Sequence, residues 1–253
     1  MSTLAVAVPG LRRVEHIMGM PIMLDLRDED ADQAAVDEMF DWLRWADATF
    51  STYEHDSEIS RLGRGELALE EAHPDVRHVL ARCEELRGET RGYFDTRAAG
   101  GLDPSGLVKG WAVDRAAEML RQAGMRNFAV NAGGDMRLSG RAIPELSWRV
   151  GIQHPLEPRE VAAVVEATDL AIATSGAYAR GEHVIDPYPG RPPHGVLSVT
   201  IVGPDLATAD AYATAAFAMG VLGPHWTARL HPYEAMTILA DETLLSTGGF
   251  PDG

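Results

Sequence analysis

Two hydrophobic periodicities occupy different stretches of this 253-residue chain, and their order limits the fold. Residues 30–50 place Ala34, Met39, Trp42, Leu43 and Ala46 at helical spacing behind an acidic start. Residues 74–88 do the same with Val76, Val79, Leu80, Cys83 and Leu86, which makes Cys83 a core residue. Both patterns predict amphipathic helices. Beyond residue 127 the pattern shortens to β-branched or alternating runs at 148–153, 161–172, 198–202 and 235–240, which predict strands. An alanine-rich helix is predicted over 208–219, and residues 14–27 alternate around Gly19 and Pro21 as a strand or hairpin arm. Residues 51–62 are polar, with Asp56 or Ser57 as cap of a short helical turn. Residues 92–110 hold five glycines and predict a loop opening into a helix at 111–123, and residues 127–137 start as a strand and break at Gly133-Gly134. Helices gathered early and strands late predict an α+β fold, not regular βαβ alternation.

The 22 basic and 38 acidic residues leave a net charge of −16, which disfavours nucleic acid and anionic membrane surfaces as partners. No run approaches the roughly 20 apolar residues of a membrane span. The first residues lack the charge-then-apolar order of a signal peptide, so a cytoplasmic location is expected. A single cysteine excludes an internal disulfide, and the length suffices for one large domain over 1–253.

Several short motifs carry chemistry. In Ala209-Asp210-Ala211-Tyr212-Ala213-Thr214, a helix would set Asp210 and Thr214 four apart on one face. A carboxylate and a hydroxyl suit Mg²⁺; equally, Asp210 could cap the helix while Thr214 packs. Gly133-Gly134-Asp135 after a β-like run is an anion-binding turn or a plain hairpin. Asp103-Pro104-Ser105-Gly106-Leu107-Val108-Lys109-Gly110 holds the sole lysine among 22 basic residues, beside glycines at a helix start. That placement suits a phosphate, and the competing reading is a solvated side chain. Thr174-Ser175-Gly176 and His183-Val184-Ile185-Asp186-Pro187 could orient a phosphate or accept a proton. A Ser175-based hydrolase is disfavoured, because no G-x-S-x-G elbow surrounds the serine. Together these residues suit a phosphate-bearing ligand with Mg²⁺.

In order and spacing, the motifs resemble the ApbE family of FAD:protein FMN transferases. The matching pieces are His16-Ile17-Met18-Gly19-Met20-Pro21, Phe50-Ser51-Thr52-Tyr53, Asp56-Ser57-Glu58-Ile59-Ser60-Arg61-Leu62 and Gly92-Tyr93-Phe94-Asp95. Residues 103–114, 130–135, 174–176, 183–191, 198–202 and 209–220 continue the match. The resemblance implies two pseudo-symmetric α+β halves of T-fold-like character around a flavin cleft. It implies FAD as substrate, Mg²⁺ as metal, and transfer of FMN to a Thr or Ser hydroxyl of a partner flavoprotein, with AMP released. The metal would fall on the Asp210 and Thr214 side chains and the Gly106 and Ala213 carbonyls. Ligand contacts would fall on Met18, Tyr53, Tyr93, Phe94, Asp95, Asp103, Lys109 and Ile185, with Gly133, Gly134, Asp135, Thr174 and Ser175 lining the cleft. His183 and Asp186 match an H-x-I-D-P motif, and His183 would assist proton removal from the acceptor or polarise the phosphate.

The chain also departs from the family pattern. Only residues 96–102 separate Asp95 from Asp103, where relatives commonly carry a long insertion. Pro104-Ser105 replaces an apolar-Gly pair. Acceptors of this family carry a D-G-x-[ST]-G-A-[ST]-like motif; Ser175-Gly176-Ala177 resembles its centre, but Ile172 stands in place of the Asp and Tyr178 ends it. Self-flavinylation is therefore not expected. The alternatives to transfer are an FAD pyrophosphatase and a non-catalytic FAD-binding protein.

Overall fold

The structure is a computed structural model that describes residues 10–176 and 184–251. Its framework is an open antiparallel sheet of eight strands in the order β1-β2-β3-β4-β7-β8-β9-β10. The first four are β1 (Leu11–Ile17), β2 (Met20–Leu26), β3 (Phe128–Ala132) and β4 (Asp135–Ser139). The last four are β7 (Ala171–Gly176), β8 (Val196–Gly203), β9 (Glu234–Leu239) and β10 (Leu244–Ser246). Each half is a hairpin, a helical segment and a second hairpin. In the first half the intervening segment holds α1 (Gln33–Phe50), α2 (Glu58–Gly63), α3 (Pro74–Glu89) and α4 (Ser105–Gln122). In the second it holds α5 (Leu206–Ala218) and the short α6 (Gly223–Thr227). The halves join where β4 pairs β7 through only Met136↔Ile172 and Arg137↔Ala171. The α+β expectation and its pseudo-symmetric halves hold.

Strand alternation decides what faces what. Ile22, Leu24, Leu26, Phe128, Val130, Ala132, Ala171, Ala173, Val199 and Ile201 pack under α1, α4 and α5. Ala129, Leu138, Ile172, Val202, Met236 and Ile238 face the opposite way, onto a hairpin of β5 (Trp148–Gln153) and β6 (Val161–Ala167). Each fully buried Leu, Ile or Phe contributes about 1.5–3 kcal/mol, so these two interfaces hold the three layers together. Local signals set the helix ends. Asp32 caps α1 through the Ala34 and Ala35 N–H groups, and Ser57 caps α2 through Ser60 N–H, as expected of that serine.

The strand readings need two corrections. Residues 14–27 form a whole hairpin, β1–β2, turned by Met18 (φ +55°) and Gly19 (φ +70°). Two positive φ values give the two-residue turn whose twist matches the strands. Residues 127–137 start as a strand and break at Gly133-Gly134, as expected, and the break is a hairpin turn with Gly133 (φ +61°) and Gly134 (φ +107°) between Ala132 and Asp135. Residues 161–172 are not one strand: the chain breaks after Ala167, and Asp169 accepts the Gly140 N–H at 3.0 Å before β7 begins. A further correction matters for the site. The helix expected from residue 111 starts at Ser105, so Gly106, Lys109 and Gly110 are helical.

Cys83 lies in the buried cluster under α3, as its spacing implied. Burial, the largest cause, pushes its thiol up to about 12. A thiol with so little thiolate at pH 8 is inert. Native protein is therefore expected to leave Ellman's reagent unreacted at pH 8 until denaturant is added; rapid native labelling contradicts this packing.

Candidate active site at the seam of the two halves

β4, α4 and α5 converge on Lys109. Asp135 is the first residue of β4, and its alternation points it, like Arg137, at the helical layer. Asp210 lies in the second turn of α5, whose cap is Asp205 through the Thr208 N–H. The capping alternative for Asp210 is thereby excluded. The Lys109 ammonium contacts the Asp135 carboxylate and stands 3.4 Å from Asp210 Oδ1. The side chains of Asp135, Asp210 and Lys109 are 3%, 5% and 18% exposed, so Lys109 is not a solvated surface cation. Burial raises the Asp210 carboxyl above its ordinary range; the Lys109 ammonium pulls it back, and Asp135 pushes it up again. Gly110 N–H donates to Asp210 Oδ2 at 3.3 Å.

Hydroxyl groups surround the carboxylates. Thr214 follows Asp210 by one turn of α5, and Ser175 Oγ lies 3.4 Å from Thr214 Oγ1. A Cβ on Gly106 would sit 3.5 Å from Thr214 Oγ1 and 3.1 Å from Phe94, so the α4 backbone runs close beside the Thr214 hydroxyl. Ala213, buried, precedes Thr214 on the same helix. Thr174 faces the other side of β7, sharing a 2.9 Å hydrogen bond with Thr200, while its backbone N–H donates to Asp135 Oδ1 at 2.9 Å. The Gly133-Gly134 turn opens β4, with Gly134 N–H donating to Asn131 Oδ1 at 2.9 Å. Gly133 packs so close to Met20 that a Cβ would lie 2.8 Å from its sulfur.

A cleft of about 330 Å³ opens beside Lys109, lined among others by Met18, Asp47, Tyr53, Asp103 and Ser105. Tyr53 is 97% exposed on its rim. Met18 N–H donates to Asp47 Oδ2 at 2.9 Å, which ties the β1–β2 turn to α1. Asp103 takes the Ser105 N–H at 2.9 Å at the start of α4. Asp47 carries no signal in the sequence, because its partner is 29 residues away.

Tyr93 and Asp186 meet around Tyr188. Asp186 turns its own segment by accepting the Tyr188 N–H at 3.0 Å. The Tyr188 hydroxyl donates to the Arg91 carbonyl, and its ring meets Tyr93 edge-on at 5.0 Å. Burial first and the Asp186 carboxylate second raise the Tyr93 phenol above its ordinary value. Asp95 accepts the Arg97 N–H at 2.8 Å, a turn role, and Ile185 is half-buried. His183 lies outside the described residues.

A further carboxylate, half-buried with its side chain 22% exposed, sits further along α4. Asp114 Oδ2 accepts the N–H groups of Leu206 and Ala207 at 2.7 and 2.8 Å, and Oδ1 faces Arg137 Nε at 3.3 Å. Burial pushes it up to about 6, opposed by the Ala207 N–H and then by Arg137.

The fold and this oxygen-lined, lysine-centred seam define an α+β protein of two hairpin–helix–hairpin halves with a candidate site for a cation and an anionic ligand. The ApbE family model matches residues 18–100 and 96–237. The chain belongs to the ApbE family. The FAD:protein FMN transferase of Vibrio cholerae serotype O1 is 40% identical over 129 residues, covering 47% of this chain and 39% of that protein. The Escherichia coli K12 enzyme of the same name is 38% identical over 133 residues, covering 49% and 37%. The chain thus spans about two fifths of the length of these curated relatives. A solved flavin transferase ApbE from Vibrio cholerae superposes with a TM-score of 0.84 at 26% identity, over 95% of this chain and 97% of that one.

Proposed function

We propose that this chain, acting as one domain over residues 1–253, transfers FMN from FAD to a Thr or Ser hydroxyl of an acceptor flavoprotein and releases AMP. The observation that carries this reading is the buried Asp135–Lys109–Asp210 cluster opening onto the cleft rimmed by Tyr53. An ammonium, helix N–H groups and hard oxygen donors on one wall suit a pyrophosphate. The exposed ring of Tyr53 suits stacking on an aromatic ligand.

The residues fit Mg²⁺. Asp210 supplies a carboxylate and Thr214 a hydroxyl, and the Gly106 backbone runs beside that hydroxyl, while Ala213 adds a backbone carbonyl. Among the described residues no cluster of three or more His, Cys, Asp or Glu side chains offers a softer site. When bound there, Mg²⁺ would neutralise pyrophosphate charge and the charge of departing AMP. The chain's own residues do the rest. Lys109 holds the phosphates, and Asp135 orients Lys109. The acceptor oxygen forms a bond to the FMN-side phosphorus, while the phosphorus–oxygen bond to AMP breaks and its electron pair leaves with AMP. The hydroxyl proton passes to a base, the role we give to His183, and Asp186 turns the residues that follow it.

No helix among the described residues is long and apolar enough to cross a membrane. We assign the reaction to the cytoplasm, on an acceptor carrying a D-G-x-[ST]-G-A-[ST]-like motif and not on nucleic acid or within a bilayer. Incubation with FAD, Mg²⁺ and a domain bearing that motif tests the reading. AMP with flavin joined to the acceptor supports it. AMP with free FMN makes the chain a pyrophosphatase, and bound FAD without AMP makes it a binding protein.

Ser175 is not the acceptor in this reading: it is buried and faces Thr214. Intact mass after incubation with FAD and Mg²⁺ is expected to match the unmodified chain, and covalent FMN on Ser175 contradicts this.

A further inference from the structure

α4 and α5 run antiparallel and meet along one stripe of each. On α4 the stripe is Gly106, Gly110 and Asp114; on α5 it is Thr214, Asp210 and Leu206, all at four-residue spacing. The glycines bring the backbones together. A Cβ on Gly110 would lie 2.4 Å from the Leu206 carbonyl oxygen. Contact of this kind is close but smooth, and it sets distance better than axial position. A slip of one residue along a helix moves every group by about 1.5 Å.

Along the stripe Gly110 N–H donates one long bond to Asp210 Oδ2 at 3.3 Å, and at its far end shorter directed contacts join it. The Asp114 carboxylate takes the Leu206 and Ala207 N–H groups of α5 and pairs with Arg137 of β4. Leu206 lies one turn before Asp210 and two before Thr214 on the same stripe. Arg137 lies two residues after Asp135, on the same face of β4. One carboxylate on the helix of Lys109 therefore grips both elements that bring oxygen donors to it.

We propose that Asp114 is a positioning residue. It fixes the register of α5 and β4 against α4, and so sets the approach of Asp210, Thr214 and Asp135 to Lys109. The idea deepens the transferase reading and rests on it for the activity readout alone. A misplacement of about 1 Å at a catalytic group can cost about a hundredfold in rate.

Removing Asp114 alone would strand the buried Arg137 charge, so the test pairs the substitutions. In the full chain, Asp114→Leu/Arg137→Met removes the charge pair and the oxygen that grips α5. Asp114→Asn/Arg137→Met removes the same charges but keeps an oxygen for the Leu206 and Ala207 N–H groups. Mn²⁺ affinity is read by electron paramagnetic resonance, thermal midpoint by calorimetry, and kcat and KM by AMP release from FAD. The leucine pair is expected to bind Mn²⁺ about tenfold or more weakly and to lose kcat by at least as much, at a thermal midpoint close to that of the asparagine pair. The asparagine pair is expected to stay within about threefold of the unsubstituted chain. Equal Mn²⁺ affinity in the two paired variants overturns the proposal. A wild-type chain that binds Mn²⁺ but releases no AMP sinks the transferase reading instead, and leaves the Mn²⁺ comparison to decide the role of Asp114.

Discussion

Asp210→Asn is expected to lower FAD-dependent AMP release by about a hundredfold or more while leaving the chain folded. Asparagine has the shape of aspartate and keeps an oxygen for the Gly110 N–H, which now donates at 3.3 Å. Fold stability therefore changes little at that bond. What disappears is the negative charge facing Lys109 and the hard donor that would hold a divalent cation beside Thr214. Interactions with charge that develops during phosphoryl transfer are where such sites gain most of their rate. Steady-state AMP release with and without Mg²⁺ measures the effect. A variant that keeps Mg²⁺-dependent activity within about threefold contradicts the assignment of Asp210.

Lys109→Met acts on the same cluster from the other side, and its larger effect is on stability. Methionine fills nearly the same volume along α4 but carries no charge. The side chains of Asp135 and Asp210, 3% and 5% exposed, would then face one another without the ammonium. Removing one partner of a buried ion pair costs about 3–5 kcal/mol, because the remaining charge stays desolvated. Urea denaturation in EDTA, where no divalent ion can replace the ammonium, is expected to show a loss of that size. FAD affinity is expected to fall about tenfold, the loss of one charge-assisted contact to phosphate. A loss of stability under about 1 kcal/mol with unchanged FAD affinity would return Lys109 to the role of a surface cation.

Features set by neighbouring residues were legible in the sequence. The spacing of Asp210 and Thr214 already placed both on one helical face, and Gly133-Gly134 already marked a turn before Asp135. The oddity of one lysine among arginines pointed to Lys109. The start of α4 was not legible, because glycines at 106 and 110 count against a helix. The structure gives the reasons: at 110 only a residue without a Cβ lets α4 approach the Leu206 carbonyl, and at 106 a Cβ would press to 3.1 Å from the Phe94 ring. The break between β6 and β7 was hidden because residues 168–170 carry no glycine or proline, and their turn is made instead by the distant contact of Asp169 with Gly140. The convergence of Asp135, Lys109 and Asp210 depends on the two-pair seam between β4 and β7, a long-range pairing that no local pattern encodes. Asp114 closes the 103–114 motif, but its grip on Leu206 spans 92 residues, which no local pattern shows.

The proposed reaction is covalent transfer of FMN from FAD by way of the Lys109–Asp210 site. Its most direct test is the intact mass of an acceptor domain after incubation with this chain, FAD and Mg²⁺. The expected result is a gain equal to one FMN on a Ser or Thr of the acceptor, with one AMP released per flavin attached, and no gain with Asp210→Asn. An acceptor of unchanged mass, while the same mixture yields AMP and free FMN, would contradict it.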